Sequence, residues 1–277
     1  MNDDSRHEQT IDKDPLGRGL GAKPYIYTML SIAGILAFFL IWELLVRSGL
    51  VSGKYFTPPT QIIALFVDKL TNINPDGSTI QFNILQSLKV AISGLLLGMV
   101  LGIPLGLLMG WYKAADRFVR PLFEILRPIP PIAWIPLTIL WLGIGLKAKA
   151  FIIFFAAFIP CLINSYTGIK QTNQTLINVA RTCGAPDFEV FIKVGIPSSL
   201  PIMFAGIRVA LGAAWSTLVA AEMLAANTGL GFMILMGRSY GRVDLILLGM
   251  VVIGLIGAIF TGSLAWLEKR IIKWRPT

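Results

Sequence analysis

Charge is what this 277-residue sequence has least of: only 14% of its residues are Asp, Glu, Lys or Arg, against roughly 25% in soluble proteins. A large water-exposed surface cannot be covered with so few. Histidine occurs once, as His7, and cysteine twice, as Cys161 in an apolar stretch and Cys183 in a polar loop. Two thiols so placed exclude a disulfide framework and read as packing residues. No cluster of Asp, Glu, His or Cys lies within the apolar segments, which argues against a metal or acid–base site there. A phosphate-binding loop is also missing. The nearest stretch, Gly49 to Tyr55 (GLVSGKY), is one residue short between its glycines and has Tyr55 where Ser or Thr should follow Lys54.

What is there is apolar, at 55% of the residues. The charges are unevenly spread: residues 1–24 hold nine of the 39, and Leu245 to Leu267 holds none. Such a distribution excludes a soluble enzyme, a disordered chain and a nucleic-acid-binding domain, despite a formal net charge of +9. Spanning hydrocarbon takes about 20 apolar residues as a helix. Five segments reach or approach that length: Tyr25–Val46, Leu88–Gly110, Ala150–Ile169, Met203–Ala225 and Leu245–Leu267. A sixth, Ile132–Leu146, is short and interrupted. The expected fold is therefore an all-α integral membrane protein of about six transmembrane helices at residues 25–277, preceded by a polar tail at 1–24. The first span is too long for a signal peptide and reads as an uncleaved anchor.

Lys and Arg favour the cytoplasmic side of a bilayer. With the N-terminus inside, the inner segments 1–24, 111–128, 170–202 and 268–277 carry 15 of these residues and the outer ones carry six. Arg47, Lys89 and Arg208 stand at span ends and are assigned to neither side. Both termini are accordingly expected in the cytoplasm of an inner-membrane, multi-pass protein, and the basic excess is a topology signal.

Three segments carry more than hydropathy. Gly94, Gly98, Gly102, Gly106 and Gly110 recur every four residues, which puts them on one helical stripe for close approach of another helix; Pro104 should bend that span. Pro128, Pro130, Pro131 and Pro136 fall within nine residues and cannot continue a helix. Irregular backbone at membrane depth is tolerated where it is buried or lines a wet cavity, so Trp134 is either a cavity residue or part of a structural re-entry turn. Third, the polar stretch Lys170 to Pro201 predicts helix, glycine turn, helix. Residues 175–183 (TLINVARTC) are helix-compatible, Gly184 fits the left-handed position after them, and Pro186 starts a second helix with Asp187 and Glu189 in its first turn. Pro197 and Pro201 are expected to close this unit before the next span. Its shape suits docking on the cytoplasmic face.

This loop resembles a signature of permease subunits of ATP-binding-cassette importers: Glu-Ala-Ala, three residues, Gly, nine residues, Ile, any residue, Leu-Pro. Here Asn178, Val179 and Ala180 are followed by three residues, Gly184, nine residues beginning with Ala185 and Pro186, then Val194, Gly195, Ile196 and Pro197. Asn178 replaces the usual glutamate and Val179 the first alanine. Residues 127–145 (RPIPPIAWIPLTILWLGIG), 215–222 (WSTLVAAE) and 228–233 (TGLGFM) resemble the nitrate, sulfonate and taurine branch, most nearly the taurine and aliphatic sulfonate permeases. The likeness runs from about residue 30 to the end.

The resemblance implies a type I importer permease fold, MetI-like, working with a second permease subunit as a homodimer. Two cytoplasmic ATPase subunits would dock on the 170–202 coupling loops, and an extracytoplasmic solute-binding protein would deliver a small anionic or zwitterionic solute. It implies no cofactor in this chain, ATP and magnesium belonging to the ATPase, and alternating access driven through the loop. Within the spans, Glu43 and Arg47 read as a helix-surface pair. Glu222 ends a run of small residues and is either a path residue or an interfacial carboxylate holding the outer loop. Trp215, Ser216 and Thr217 are candidates to line the path. Residues 56–67 (FTPPTQIIALFV) read as a proline-started helix at the outer interface, either a membrane brace or a contact for the binding protein. The competing class is an ion-gradient-driven secondary transporter, which would need intramembrane carboxylates such as Glu43 and Glu222 and an internal repeat that the sequence does not show.

Overall fold

The computed structural model describes residues 24–50 and 55–272, with side chains from Met29 onward. The polar tail up to Ala22 and Lys23, His7 within it, and the Gly53–Lys54 pair of the incomplete phosphate loop lie outside the described residues. Every regular element among the described residues is helical. They fall into two compact units that divide at Pro59 and Thr60.

The first unit contains helix α1 (Pro24–Arg47). The Arg47 guanidinium reaches Glu43 at 2.5 Å, one turn back, as the i,i+4 spacing requires.

The second unit opens within α2 (Pro59–Asp68), which buries Ile62 and Leu65. The proline at its first position loses no helical hydrogen bond. Then comes α3 (Ile80–Trp111), longer by a turn and more than the apolar run beginning at Leu88. Hydropathy misses that extension because Asn83 and Ser87 are polar, yet both are fully buried. α3 continues through Pro104 as one helix.

α4 (Lys113–Leu126) was not expected from hydropathy, because its charged and apolar residues alternate at helical spacing. The proline-rich stretch after it forms a 3-10 turn (Pro131–Trp134) and the short α5 (Ile135–Leu142). The sixth segment, expected at Ile132–Leu146 as short and interrupted, is both, and together with α4 it makes up the sixth candidate span. The helix stops at Leu142, Gly143 at φ 72° ends it, and α4 and the turn–α5 segment form a pair bent by 80°. The physical cause is the proline density, which removes amide donors just where α4 would have to continue.

α6 (Leu146–Lys170) is the central helix, with α3 on one side and α9 (Ile196–Ala225) on the other. The five-glycine stripe of α3 faces it. A Cβ at Gly94, Gly98, Gly102, Gly106 or Gly110 would come within 2.4 to 2.8 Å of α6 atoms, the closest being the Leu162 carbonyl oxygen opposite Gly106. Lipid tails are as apolar as these side chains, so close backbone packing rather than water exclusion holds such helices together. Val90 and Ala91 of α3, Ile153 and Ala157 of α6, and Phe204, Ile207 and Ala210 of α9 form the shared core.

Between α6 and α9 lie α7 (Gln174–Thr182), α8 (Asp187–Val190) and a π turn (Phe191–Gly195). The expectation that Pro197 and Pro201 separate this unit from the next span is corrected, since α9 includes both. Pro197 sits in its first turn, where the amide would be unpaired anyway. The chain ends with α10 (Leu230–Ser239) and α11 (Val243–Ile271), α10 packing on both α9 and α11.

Candidate coupling loop and translocation residues

The 170–202 loop is shaped by its caps. The Asn173 side chain accepts the Thr175 amide at 2.8 Å and starts α7. At the other end, the amide of Ala185 donates to the Ala180 carbonyl at 3.1 Å and that of Gly184 to the Arg181 carbonyl at 2.9 Å. This is a Schellman closure, with Gly184 at φ +85°. Nothing lies within 4 Å of the place a Cβ would occupy there, so the glycine is demanded by backbone conformation alone.

Asp187 then ties the loop to the body. Its Oδ1 accepts from Arg181 Nη2 at 2.7 Å and its Oδ2 accepts from the Trp111 indole N–H, at the end of α3, at 2.9 Å. The loop carboxyl is held below the ordinary carboxylate range by the Trp111 hydrogen bond first and by Arg181 second. The Trp111 ring also packs on Phe191, with centroids 5.4 Å apart. Ile196 completes this contact with Leu107, Ile169 and Met203.

The loop's outward face is apolar. Leu176, Val179, Phe188 and Ile192 are exposed, Val179 at 57% and Phe188 at 64%. Asn178 is exposed beside them, its carbonyl accepting the Thr182 hydroxyl at 2.9 Å. Ala180, Ala185, Val194, Ile196 and Pro197 are half-buried beneath, and Pro186 is exposed at the tip.

The opposite end of the bundle holds a buried polar network, of which sequence reasoning singled out only Glu222, as a path residue or a carboxylate holding the outer loop. Lys69 Nζ donates to Asp76 Oδ1 at 2.5 Å and to the Ser78 carbonyl at 2.7 Å. Asp76 Oδ2 accepts from Asn83 Nδ2 at 2.9 Å, and Asn83 Oδ1 accepts the Gly229 amide at 2.9 Å. One turn along α3, Ser87 Oγ accepts the Leu230 amide at 2.9 Å and donates to the Glu222 carboxylate at 2.8 Å. Glu222 Oε2 also accepts the Gly231 amide at 2.9 Å. Lys69, Asn83, Ser87 and Glu222 are fully enclosed. Glu222 therefore caps the start of α10 and fastens the 226–229 loop to α3, and it offers no open face in this conformation. A signal existed: Asn83 and Ser87 continue the α3 glycine stripe at helical spacing.

The other path candidates separate. The Trp134 ring stacks on Phe155 of α6, with centroids 4.9 Å apart and planes 5° apart. Trp215 donates its indole N–H to the Ile253 carbonyl of α11 at 3.2 Å and meets Phe260 edge-on. With Ser216 it borders a cavity of about 310 Å³ between α9 and α11. Thr217 is buried on another face of α9. No group of His, Cys, Asp and Glu among the described residues could hold a metal ion.

Comparison with known proteins fits this architecture. Residues 86–273 match the family described as binding-protein-dependent transport system inner membrane component. A putative ABC transporter permease protein of Methanocaldococcus jannaschii is 41% identical over 237 residues, covering 85% of this chain and 88% of that one. The taurine transport system permease protein of Escherichia coli is 33% identical over 248 residues, covering 88% and 89%. Among solved structures, the MetNI methionine ABC transporter in an inward-facing conformation aligns with 69% of this chain and 93% of that one, at a TM-score of 0.57 and 22% identity, which shows a shared fold. A helical bundle with a glycine-turned loop between α6 and α9, joined to these matches, makes the chain a multi-pass inner-membrane permease component of an ABC transporter: it belongs to the binding-protein-dependent transport system inner membrane component family, in its nitrate, sulfonate and taurine branch.

Proposed function

We propose that the chain forms, with a second copy of itself, the membrane path of an ATP-driven importer for a small anionic or zwitterionic solute of the sulfonate or taurine class. The 170–202 loop faces the cytoplasm, as do both termini and the 1–24 tail, and each loop docks one ATPase subunit that binds ATP and magnesium. A solute-binding protein delivers solute to the opposite face, where the Lys69 to Glu222 network holds the loops. ATP-driven closure of the ATPase pair moves the loops, and the spans alternate between outward and inward access.

The observation that carries this reading is the construction of the loop. An apolar patch of Leu176, Val179, Phe188 and Ile192 stands exposed on a polar segment, as a docking surface must. Directly behind it, the Asp187–Trp111 hydrogen bond joins the patch to α3. Force applied to the patch is thereby delivered to a helix that packs along α6. Gly184, Ala185 and Pro186 set the angle between α7 and α8; Asn178, Val179 and Ala180 lie in α7, and Val194, Ile196 and Pro197 carry the loop into α9. The solute class is supported by the taurine transport permease relative.

The test is co-purification from native membranes in mild detergent. An ATPase subunit should accompany the chain in equal amount and be lost in a Gly184→Val variant, whose β-branched side chain is strained at φ +85°. A chain that purifies alone, with uptake driven by an ion gradient, would sink the proposal.

A further inference from the structure

A cavity of about 230 Å³ lies where α4 packs on the ends of α3 and α6. Met109, Phe123, Leu162 and Ile163 form its apolar wall, and Arg120, Arg127, Tyr166, Thr167 and Glu124 its polar one. Met109 stands two residues before the end of α3 at Trp111, and Tyr166 four residues before the end of α6 at Lys170. The cavity therefore sits at the end of the bundle that carries the 170–202 loop, where spanning helices leave the hydrocarbon and meet headgroups.

Donors prevail in that polar wall. Arg120 gives Nε and Nη2 to Asp116, at 3.1 and 2.8 Å, and Nη2 also reaches the Tyr166 hydroxyl. Nη1 keeps both of its protons, and the Tyr166 hydroxyl, an acceptor in that bond, keeps its own to donate. Arg127 is exposed and has no hydrogen bond or ion pair among the described residues. The Arg120 guanidinium and Lys170 Nζ stand 5.3 and 5.7 Å from the centre of the Tyr166 ring, so one phenol gathers two cations. Glu124 is the one carboxylate lining the cavity. Along α4, Lys113, Arg117, Arg120, Glu124 and Arg127 recur at alternate spacings of four and three and share a face. Phe118 and Ile125 are exposed on another, at 76% and 70%. A helix that turns cations one way and apolar side chains the other is suited to a membrane surface.

We propose that this cavity binds the phosphate of an anionic phospholipid from the leaflet at the loop end of the bundle. Arg127, Arg120 Nη1 and the Tyr166 hydroxyl donate to its oxygens, and Lys170 adds positive charge at the rim. Guanidinium groups match phosphate oxygens in pairs, and basic pockets between spanning helices on the cytoplasmic side take lipid headgroups. A free phosphate would satisfy the same donors but leave the apolar wall and the exposed side chains of α4 uncovered, whereas a phospholipid brings acyl chains to them. Glu124 competes with the phosphate for the two guanidinium groups. The bound phosphate bridges α4 to α6, on the helix that precedes the 80° bend, and so holds the broken span against the central helix. Of the proposed function this uses only the orientation, and its test requires no transport.

The test is a lipid titration of the full-length chain, purified in neutral detergent with whatever subunits accompany it. Native mass spectrometry reads the phosphatidylglycerol retained per chain, and thermal unfolding reads the shift in Tm. Phosphatidylglycerol should be retained and raise Tm, while phosphatidylcholine and inorganic phosphate at the same concentration do neither. Arg127→Gln, which breaks no hydrogen bond or ion pair of the described fold, should weaken retention about fivefold. Arg120→Gln combined with Arg127→Gln should weaken it further, and Glu124→Gln should strengthen it. Lys113→Gln combined with Arg117→Gln removes as much charge from α4 but none from the cavity wall, and should leave retention nearly unchanged. Equal weakening by the two double variants would reduce the effect to surface charge and overturn the site, as would unchanged retention in Arg127→Gln. A rise in Tm with inorganic phosphate alone, lost in Arg127→Gln, would assign the cavity to a free oxyanion and overturn the lipid.

Discussion

The carboxylate of Asp187 in the loop accepts a hydrogen bond from the indole of Trp111 at the end of α3, 2.9 Å away and 76 residues earlier in the chain. This contact joins a surface loop to one end of a membrane helix. Asp187 is also bound by Arg181 across the Gly184 turn, so one side chain fixes both the internal angle of the loop and its attachment.

Asp187→Ala should therefore leave the bundle folded but weaken coupling, seen as a severalfold loss of transport per ATP hydrolysed in the reconstituted complex. The pH dependence has a definite sign. The folded-state carboxyl is held below its ordinary value, so its contribution to stability is fully present above the unfolded value of about 3.9 and is lost as pH falls through the lower folded value. The Tm difference between the protein and Asp187→Asn should be constant from neutral pH down to about 5 and shrink below about 4. A difference that grows on acidification would contradict this.

Substitution along the α3 stripe should be graded by what stands opposite. At Gly106 a Cβ would lie 2.4 Å from the Leu162 carbonyl oxygen, a backbone atom that cannot rotate away. Gly106→Ala should destabilise by about 1–3 kcal/mol through overpacking. At Gly212 and Gly254 nothing lies within 4 Å, and alanine there should leave Tm in detergent unchanged or slightly raised.

The buried network predicts a non-additive pattern. Removing one partner of the enclosed Lys69–Asp76 pair, as in Lys69→Met or Asp76→Leu, should cost about 3–5 kcal/mol, because a charge is left buried alone. The double variant should be less destabilised than the sum of the two, a relation that a double-mutant cycle measured by thermal unfolding will reveal. At the other end of the network, Glu222→Ala leaves the Gly231 amide and the Ser87 hydroxyl without their acceptor, at about 1–3 kcal/mol for each unsatisfied group, and should expose the 226–229 loop to proteolysis. Glu222→Gln, which keeps an acceptor, should be milder.

The features legible in the sequence are those that repeat along a single element. Apolar run length announced the long helices, and the spacing of four announced the α3 stripe, because a helix places every fourth residue on nearly the same line. The turn at Gly184 was legible for a similar reason: its flanking Ala180, Gly184 and Pro186 signals lie within seven residues. Hydropathy failed at the first turns of α3 and at α4. At the start of α3 the polar Asn83 and Ser87 are buried and satisfied by partners that hydropathy does not see, and in α4 charged residues such as Lys113 and Arg117 occupy the exposed face of the helix.

The sequence by itself determined that this chain crosses a membrane several times, which loop carries the glycine turn, and which face of α3 can be approached closely. These follow from local spacing and from the cost of placing charge in hydrocarbon. Only the tertiary structure decided that Glu222 caps α10 instead of facing open space, that Lys69 and Asp76 are enclosed together, that Trp111 receives the loop through Asp187, and that Arg120 meets Tyr166. Each of those relations joins side chains from separate elements. Whether a buried charge is anchored or poised depends on the partners that packing brings to it, and no local periodicity specifies them.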